Sequence, residues 1–355
     1  MKIVRLDVWP VTMPLREPYT IAYETISSAT NVMLRIVTDK GPPAFGCAAP
    51  DLEVTGETPA SVIEQLEGQA TDVLVGADPM QRAHLLERLK AMLAQHPSAL
   101  AAVDIALHDL LGKRAGLPLH RLLGGNRDEI ITCVTIGIKP LDETVAAAHA
   151  WLSQGFVSLK LKGGVNMEDD AARVLAVRDA VGPNIEIRFD ANQGYTVNQA
   201  LEFVTRTKTA NIELLEQPTP RGEPDLLGRV TNQVPIPVMA DESLMNLRDA
   251  FRLTSDNLAD MVNIKLMKVG GIHEALHINS VARAANCEVM VGCMDECGLG
   301  IAAGLHFALA RSNIVYADLD GHLDLLDDPT HDAVIVAAGK LRPTGRPGLV
   351  FDFPE

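Results

Sequence analysis

The chain has 355 residues, 47% of them hydrophobic, and a formal net charge of −15. This length gives room for one large domain and a smaller one, and the negative charge argues against nucleic acid as a partner. No run of 18 apolar residues occurs, so no membrane span is predicted. The start lacks the pattern of a signal peptide, and five scattered cysteines are typical of a cytoplasmic protein.

Residues 1–125 predict a small α+β domain. The stretches KIVRLDVWPV, NVMLRIVTDKG and AFGCAAP alternate as strands do, and TDKG is typical of a hairpin turn. Between the first two strands, residues 18–28 have no periodicity and predict a polar loop. Helical periodicity then covers residues 58–73, 79–95 and 97–115, and Thr58-Pro59 is a typical helix start.

Residues 126–322 predict a parallel barrel. The runs VSLKLK, EIRFD, IELLE, PVMAD and MVNIK each have strand character and each end in a charged residue, at intervals of 24 to 28 residues. This interval fits a strand, a loop, a helix and another loop. ITCVTIGI precedes these runs, and NCEVMVGCMDE and NIVYADLD follow them. The expected fold is therefore an α/β barrel of the (β/α)7β, TIM-like type, in which the C-terminal strand ends meet on one face.

Three of these strand ends carry carboxylates, namely Asp190, Glu216 and Asp241. Without a nearby histidine or cysteine they form a hard oxygen site, which suits one Mg²⁺ per subunit. The alternative is that each carboxylate only caps the next helix.

Two lysines end the strands on either side of the carboxylates, Lys162 and Lys265. A lysine transfers protons near neutral pH only when its pKa falls from about 10.4 towards 7–8. Lys160 shares a strand face with Lys162, and a second ammonium there favours the neutral amine. A metal with a base on each side suits removal of a proton next to a carboxylate on one face and its return on the other. We predict Lys162 and Lys265 as the acid/base pair, and Lys160 as a group that tunes Lys162 and binds the intermediate.

These residues resemble the enolase superfamily, muconate-lactonising subgroup, whose members use a lysine or histidine base with Mg²⁺. The contexts SLKLKGG, FDANQGYT, LLEQP, MADES and NIKLMKVGG match in order, and the resemblance runs through nearly the whole chain. It implies that the loop at residues 18–28 closes over the substrate. It also implies that residues 323–355, which include the strand-like runs AVIVAAG and GLVFDF, return to the first domain, which caps the barrel. Family precedent further suggests a homo-oligomer.

Two aspartates on the eighth barrel strand narrow the function. Asp318 and Asp320 alternate along one strand face and would together receive an ammonium group. Such a D-x-D resembles the dipeptide epimerases, where it holds the free α-amino group of the substrate. A helix cap is the alternative. Muconate lactonisation and succinylbenzoate synthesis offer no ammonium, so the pair disfavours them.

The chain departs from the family pattern in the mobile loop. Epimerases of Ala-Glu place an arginine there to hold the glutamate side chain, whereas the Pro, Pro and Thr of PLREPYTIAYET align Glu24 with that position. Asp51 and Glu53 lie in a neighbouring loop. Because like charges repel, these carboxylates favour lysine- or arginine-containing dipeptides. The alternative is that a loop glutamate is common in so acidic a chain.

Other polar residues are candidates for the barrel mouth. Thr135 on the first barrel strand is expected near the substrate carboxylate. The remaining candidates are Asn192, which either supports the metal or makes a turn, Lys268, which either joins the site or starts a helix, Asp295, and Glu296, a possible partner of Lys265.

The predicted reaction is a 1,1-proton transfer that inverts the α-carbon of the C-terminal residue of a dipeptide through an enediolate. The rivals are an Ala-Glu epimerase, an N-acylamino acid racemase, an o-succinylbenzoate synthase or a cycloisomerase of the same subgroup. A non-catalytic barrel is disfavoured because no catalytic residue is missing, and a phosphate-binding barrel because the glycine-rich loop is absent.

Two other groups of residues are candidate metal ligands. Cys287, Cys293 and Cys297 are spaced unlike a usual zinc site. Asp104, His108 and Asp109 share a predicted helix, where capping and packing explain them as well as a metal does.

Overall fold

The structure is a computed structural model that describes residues 1–349. Its first unit is a three-stranded antiparallel sheet covered by helices. The sheet consists of β1 (Ile3–Thr20), β2 (Thr25–Thr38) and β3 (Ala44–Ala48). The helices are α1 (Pro59–Gln65), a π-helical turn (Leu66–Ala70), α2 (Thr71–Leu74), α3 (Arg82–Met92), α4 (Pro97–Ala115) and α5 (Leu119–Leu123).

Local sequence explains how this capping unit forms. Thr58 and Ser61 make a reciprocal capping box at the start of α1, in which each side chain accepts a hydrogen bond from the backbone N–H of the other residue. Gly46 allows β3 to lie directly against α4, because a Cβ there would come within 2.0 Å of the Ala102 carbonyl oxygen. The sheet and the long buried helix α4 therefore share one apolar core.

The β1–β2 hairpin is longer than the sequence suggests. Thr20 pairs with Thr25, and their hydroxyl oxygens lie 2.9 Å apart. The prediction of a polar loop over residues 18–28 is therefore wrong for most of that stretch, and only residues 21–24 form the turn. A register shift between Pro14 and Tyr19 interrupts the alternation that would have indicated a strand.

The second unit is a parallel eight-stranded barrel with seven helical connections, the sixth of which contains two helices, and this confirms the predicted (β/α)7β fold. The strands are β5 (Val134–Ile136), β6 (Ser158–Lys162), β7 (Glu186–Asp190), β8 (Leu215–Glu216), β9 (Val238–Ala240), β10 (Met261–Lys265), β11 (Glu288–Gly292) and β12 (Ile314–Asp318). The helices are α6 (Leu141–Ser153), α7 (Met167–Val181), α8 (Val197–Arg206), α9 (Pro224–Thr231), α10 (Leu247–Ser255), α11 (Leu266–Val269), α12 (Ile272–Ala284) and α13 (Gly298–Ala310). The Cys133 N–H donates to the Ala317 carbonyl at 3.1 Å and closes the barrel between its first and last strands.

The predicted first barrel strand, ITCVTIGI, divides between two sheets. Its start forms β4 (Ile130–Ile131), which pairs with β14 (Lys340–Pro343), and β14 pairs with β13 (Val334–Ala337). Only the later residues of the run enter the barrel as β5.

The C-terminal segment contacts the capping unit at two points. It reaches the capping hairpin where the Arg16 N–H donates to the Asp324 carbonyl at 2.7 Å, and it reaches the end of α4 where Gly348 donates to Leu117 at 3.1 Å. The predicted strand GLVFDF falls mostly on residues 350–355, which lie outside the described residues. The domain boundaries at residues 125 and 322 stay predictions.

The acidic residues of α4 have structural roles. The Asp104 carboxylate accepts from the N–H of Ile272 at the start of α12, and Asp109 accepts from the N–H of Phe45 at 2.9 Å and of Leu349 at 2.8 Å. These bonds favour the capping interpretation over a metal site and tie α4 to the sheet, the barrel and the C-terminal segment. No helix in residues 1–349 combines the length and apolar character needed to cross a bilayer.

Arg188 closes the barrel interior below the strand ends. It lies two residues before Asp190 on β7 and is almost fully buried. Its guanidinium donates to the Glu213 carboxylate at 2.8 Å and to the Ala317 carbonyl at 3.3 Å, and it lies 4.6 Å from the Tyr316 ring centroid. These contacts connect β7, β12 and the segment that leads into β8, below the C-terminal strand ends.

Replacing Arg188 with methionine should lower the free energy of unfolding by about 2–4 kcal/mol, because Glu213 and the Ala317 carbonyl would lose their donor. Urea denaturation measures the change. The control is Arg206→Met, which removes an exposed ion pair with Glu202 and should give no resolvable change. Equal losses in both variants would contradict a special role for the buried network.

Candidate active site

The three predicted metal ligands meet at one point of the barrel mouth. Asp190 and Glu216 end β7 and β8, and Asp241 follows β9 directly. All three are buried, and one carboxylate oxygen from each lies within 4.8 Å of the others. In residues 1–349, these three carboxylates are the one cluster of histidine, cysteine or carboxylate side chains close enough together to hold a metal ion. Cys287, Cys293 and Cys297 form no such cluster there.

The environment of these carboxylates fits a hard divalent cation. Glu216 Oε2 and Asp241 Oδ2 are buried, and each lies within 3 Å of a lysine ammonium, at 2.8 Å from Lys160 Nζ and 2.9 Å from Lys265 Nζ. Burial and the charges of Asp190 and Asp241 raise the pKa of Glu216 to about 7, although Lys160 opposes this shift. An all-oxygen donor set with mutual repulsion matches the preference of Mg²⁺.

Lys160 lies at the centre of the charge cluster. Its Nζ is 2.8 Å from Glu216, 2.9 Å from Asp318 and 3.0 Å from Asp190. Burial disfavours its charged form, but these carboxylates outweigh burial and raise the Lys160 pKa well above its usual value. Lys160 is therefore a fixed ammonium that holds carboxylates in place, and its charge acts on them more directly than on Lys162.

The two predicted acid/base lysines approach the carboxylates from different sides. Lys162 Nζ, at the end of β6, is 2.7 Å from Asp190 Oδ2, and Lys265 Nζ, at the end of β10, is 2.9 Å from Asp241 Oδ2. Strands β7, β8 and β9 separate β6 from β10 in the sheet. Burial opposes the charge on Lys265, yet Asp241 outweighs it and raises the Lys265 pKa well above its usual value.

The two strand-eight aspartates differ in their partners. Asp318 accepts from Lys160 at 2.9 Å and from the Cys133 thiol at 3.1 Å. Asp320 accepts from the Thr135 backbone N–H at 2.6 Å. Burial and the neighbouring charge of Asp318 raise the Asp320 pKa to about 7. Asp318 pairs with Lys160, whereas Asp320 forms no ion pair among the described residues. Of the two carboxylates, that of Asp320 is therefore the one available to bind a cationic group of a substrate.

Several polar side chains orient the carboxylates from below. Asn192 has a left-handed backbone, with φ 40°, and donates to Asp190 from its N–H at 2.9 Å and from its side chain at 3.3 Å, so it serves both the turn and the ligand. Lys268 is buried and donates to the Asp241 carboxylate, a position that suits support of Asp241. Asn263 donates to Glu216 Oε1 at 2.8 Å. Asn263 was missed, although it alternates with Lys265 on a buried strand.

A cavity of about 550 Å³ opens above this cluster between the barrel mouth and the cap. Its polar, charged and aromatic lining includes Tyr19, Tyr23, Asp51, Thr135, Lys160, Lys162, Glu242, Lys265, Asp295, Asp318 and Asp320. Sequence reasoning missed Glu242, Tyr19 and Tyr23. The signal for Glu242 was its place directly after Asp241, and burial next to that charge raises its pKa to about 7.

The remaining predicted residues take different positions. Asp51 and Asp295 line the cavity, whereas Glu24 and Glu53 are exposed near its rim. Burial and the charges of Asp51, Asp295 and Glu53 raise the Glu24 pKa. Glu296 is buried and accepts from the Met294 N–H at 3.0 Å; in the described part of the chain it makes no direct ion pair with Lys265.

Both units match known family models. Residues 3–124 match "Mandelate racemase / muconate lactonizing enzyme, N-terminal domain", and residues 143–355 match "Enolase C-terminal domain-like".

Individual relatives cover nearly the whole chain. The L-Lys-D/L-Arg epimerase of Desulforapulum autotrophicum is 41% identical over 98% of this chain and 99% of its own. The substrate-liganded L-Ala-D/L-Glu epimerase of Bacillus subtilis has a TM-score of 0.96 at 36% identity, covering 98% of both chains. The dipeptide epimerase of Methylococcus capsulatus, complexed with Mg and L-Arg-D-Lys, has a TM-score of 0.92 at 38% identity, covering 98% of this chain and 99% of its own. The chain therefore belongs to the mandelate racemase / muconate lactonizing enzyme family of the enolase superfamily.

Proposed function

We propose that the chain is a Mg²⁺-dependent dipeptide epimerase that inverts the α-carbon of the C-terminal residue and prefers lysine- or arginine-containing dipeptides. The observation that carries the proposal is the pair of amines, Lys162 and Lys265, on opposite sides of a buried carboxylate triad in one cavity. The relatives support it, because they include epimerases of L-Lys-D/L-Arg and of L-Ala-D/L-Glu.

Asp190, Glu216 and Asp241 would hold the metal. When bound, Mg²⁺ would supply positive charge that binds the substrate carboxylate, stabilises the negative charge that develops there, and offsets the carboxylate that raises the Lys265 pKa.

The chain's own residues carry out the proton transfer. One lysine, in its neutral form, takes the α-proton, and the other, as an ammonium, donates a proton to the opposite face of the planar enediolate. Which lysine acts first depends on the configuration of the substrate. Lys160 stays charged and stabilises the negative charge from a fixed position. The cap closes the cavity and limits the access of water.

The strand-eight aspartates would hold the free α-amino group of the substrate. Asp320 presents its carboxylate to the cavity, fixed by the Thr135 N–H. Asp318 contributes less directly, because it accepts a hydrogen bond from Lys160 that holds both side chains in place. An N-acylated substrate would leave Asp320 unpaired, which disfavours an N-acylamino acid racemase, and a succinylbenzoate synthase or cycloisomerase likewise has no ammonium to offer.

The charge of the cavity supports the cationic preference. Lys160, Lys162 and Lys265 are already paired with carboxylates. In contrast, Asp51, Asp295, Glu242 and Asp320 line the cavity without an ion pair in residues 1–349. A cationic side chain would relieve their repulsion, whereas the glutamate of Ala-Glu would increase it. Glu24 and Glu53 add to the negative potential at the rim.

Two expectations from the sequence belong to the proposal. The five cysteines are unpaired in the described chain, in keeping with a cytoplasmic location. A homo-oligomer is expected from the family resemblance.

A dipeptide library screened for α-deuterium incorporation in D₂O with Mg²⁺ tests the function directly. The fastest substrates should carry lysine or arginine. Faster turnover of Ala-Glu than of every cationic dipeptide would contradict the charge argument and favour an Ala-Glu epimerase.

Single replacement of Lys162 or Lys265 by alanine should slow inversion about 10²–10⁴-fold, because each face would lack its proton-transfer group. Each variant should still exchange deuterium into the one diastereomer whose α-proton faces the remaining lysine, as NMR can follow. Lys139→Ala is the control, since Lys139 lines the same cavity but pairs with Glu17. Unimpaired inversion in either catalytic variant would show that the base assignment is wrong.

Mg²⁺ should raise the thermal stability of the protein, because it relieves repulsion among three buried carboxylates. Binding at a concentration 100 times the Kd adds about 2.7 kcal/mol to the free energy of unfolding. Differential scanning calorimetry with Mg²⁺ or EDTA measures this gain. Asp241→Asn should abolish it, and an unchanged gain in that variant would place the metal elsewhere.

The value of kcat/KM should rise with pH through about 7, because the Asp320 pKa lies near 7 and only the carboxylate form attracts the substrate ammonium. Below that pH the protonated carboxyl loses the attraction. Asp320→Asn should lower kcat/KM and remove this limb from the pH profile. A wild-type profile that is flat between pH 6 and 8 would count against the role of Asp320.

A further inference from the structure

We propose that Asp295 is the residue that recognises the cationic side chain of the C-terminal substrate residue, the one that is inverted. This inference rests on the proposed function and assigns its selectivity to one carboxylate. The residue that determines the preference for a cationic side chain is then Asp295, which follows the seventh barrel strand, and not Glu24 in the loop of the cap.

Asp295 is held in place by the capping hairpin. The Tyr19 hydroxyl lies 3.0 Å from each of its carboxylate oxygens. Asn31 on β2 donates to the Asp295 carbonyl at 2.9 Å and accepts from the Cys297 N–H at 2.7 Å. Both the side chain and the backbone of Asp295 are therefore fixed before a ligand arrives, which reduces the entropy lost on binding.

The carboxylate lacks an ionic partner. Among residues 1–349, no lysine, arginine or histidine nitrogen lies within 4.0 Å of Asp295, although it lines the cavity and is only partly exposed. A carboxylate withdrawn from water is costly unless it is paired. The hydroxyl of Tyr19 satisfies part of this need, and an ammonium or guanidinium from the substrate would satisfy the rest.

The surroundings of Asp295 indicate which substrate residue it meets. Lys162 and Lys265 are among the charges that act on it, together with Asp51. In the proposed reaction these two lysines flank the carbon that is inverted, so a side chain extending from that carbon towards the cap would lie near Asp295 and Asp51, which line the same cavity. The α-amino group of the other residue would be held by Asp320, which follows β12.

Glu24 is less suited to this role. It is exposed and does not line the cavity in the described structure. Water screens an exposed carboxylate, so its attraction for a bound cation is weak.

The test compares wild type, Asp295→Asn and Asp324→Asn on three dipeptides in the presence of Mg²⁺: L-Ala-L-Arg, L-Arg-L-Ala and L-Ala-L-Leu. Asparagine keeps an acceptor for Tyr19 and removes only the charge. Asp324 is a matched control, because it is a half-buried carboxyl in the same cavity whose pKa is raised by burial, while the nearby charges of Arg16 and Lys139 oppose that shift.

Asp295→Asn should lower kcat/KM for L-Ala-L-Arg about 10- to 100-fold and change the other two substrates by less than about threefold. Asp324→Asn should change all three by less than about threefold. Turnover of L-Ala-L-Leu also reports that the variant is folded.

Three results would overturn the assignment. An unchanged kcat/KM for L-Ala-L-Arg would remove Asp295 from recognition, and a loss confined to L-Arg-L-Ala would assign it to the N-terminal residue. An equal loss on all three dipeptides would make it a general positioning residue. Wild type that epimerises none of them with Mg²⁺ would instead overturn the proposed function itself.

Discussion

The concentration of three carboxylates within 4.8 Å of one another, away from water, is the constraint around which the barrel mouth is built. Such a cluster is strongly unfavourable unless positive charge surrounds it. Four lysines meet this need: Lys160 contacts two members of the triad, Lys162 pairs with Asp190, and Lys265 and Lys268 pair with Asp241. Glu216 Oε2 lies 2.8 Å from Lys160 Nζ and Asp241 Oδ2 lies 2.9 Å from Lys265 Nζ, so positive charge already surrounds the oxygens that would hold a divalent cation.

The barrel and the cap supply different parts of the site. Reactive groups come from the C-terminal ends of rigid parallel strands, whose hydrogen-bonded register fixes each side chain relative to the next. The residues that would select the substrate lie at the boundary with the cap, where Tyr19 and Asn31 reach across to Asp295. If Asp295 selects the substrate as proposed, a change in the cap would alter substrate choice and leave the proton-transfer groups in place, because the two sets of residues are held by different elements.

Much of the barrel was predictable because the pattern is local and repeated. A charged residue at each strand end, recurring every 24 to 28 residues, was enough to predict Lys162, Asp190, Glu216, Asp241 and Lys265 on one face. The failures have equally local causes. A register shift next to Pro14 and Pro18 hid the continuation of β1, and the run ITCVTIGI gave no sign that its first residues pair with β14. The acidic loop residues Glu24 and Glu53 stood out in the sequence, yet they are exposed at the rim, while Glu242 faces the cavity.

The sequence by itself determined the fold class, the order of the strands and the identity of the residues at the barrel mouth, because parallel strands must end on one side and alternate residues must share a face. Only the tertiary structure decided how those charges pair. Lys160 is bound by three carboxylates and Asp318 is tied to Lys160, whereas Asp320 and Asp295 have no ionic partner among the described residues. Such pairings depend on distances of a few ångströms between strands far apart in the chain, and residue spacing carries no information about them.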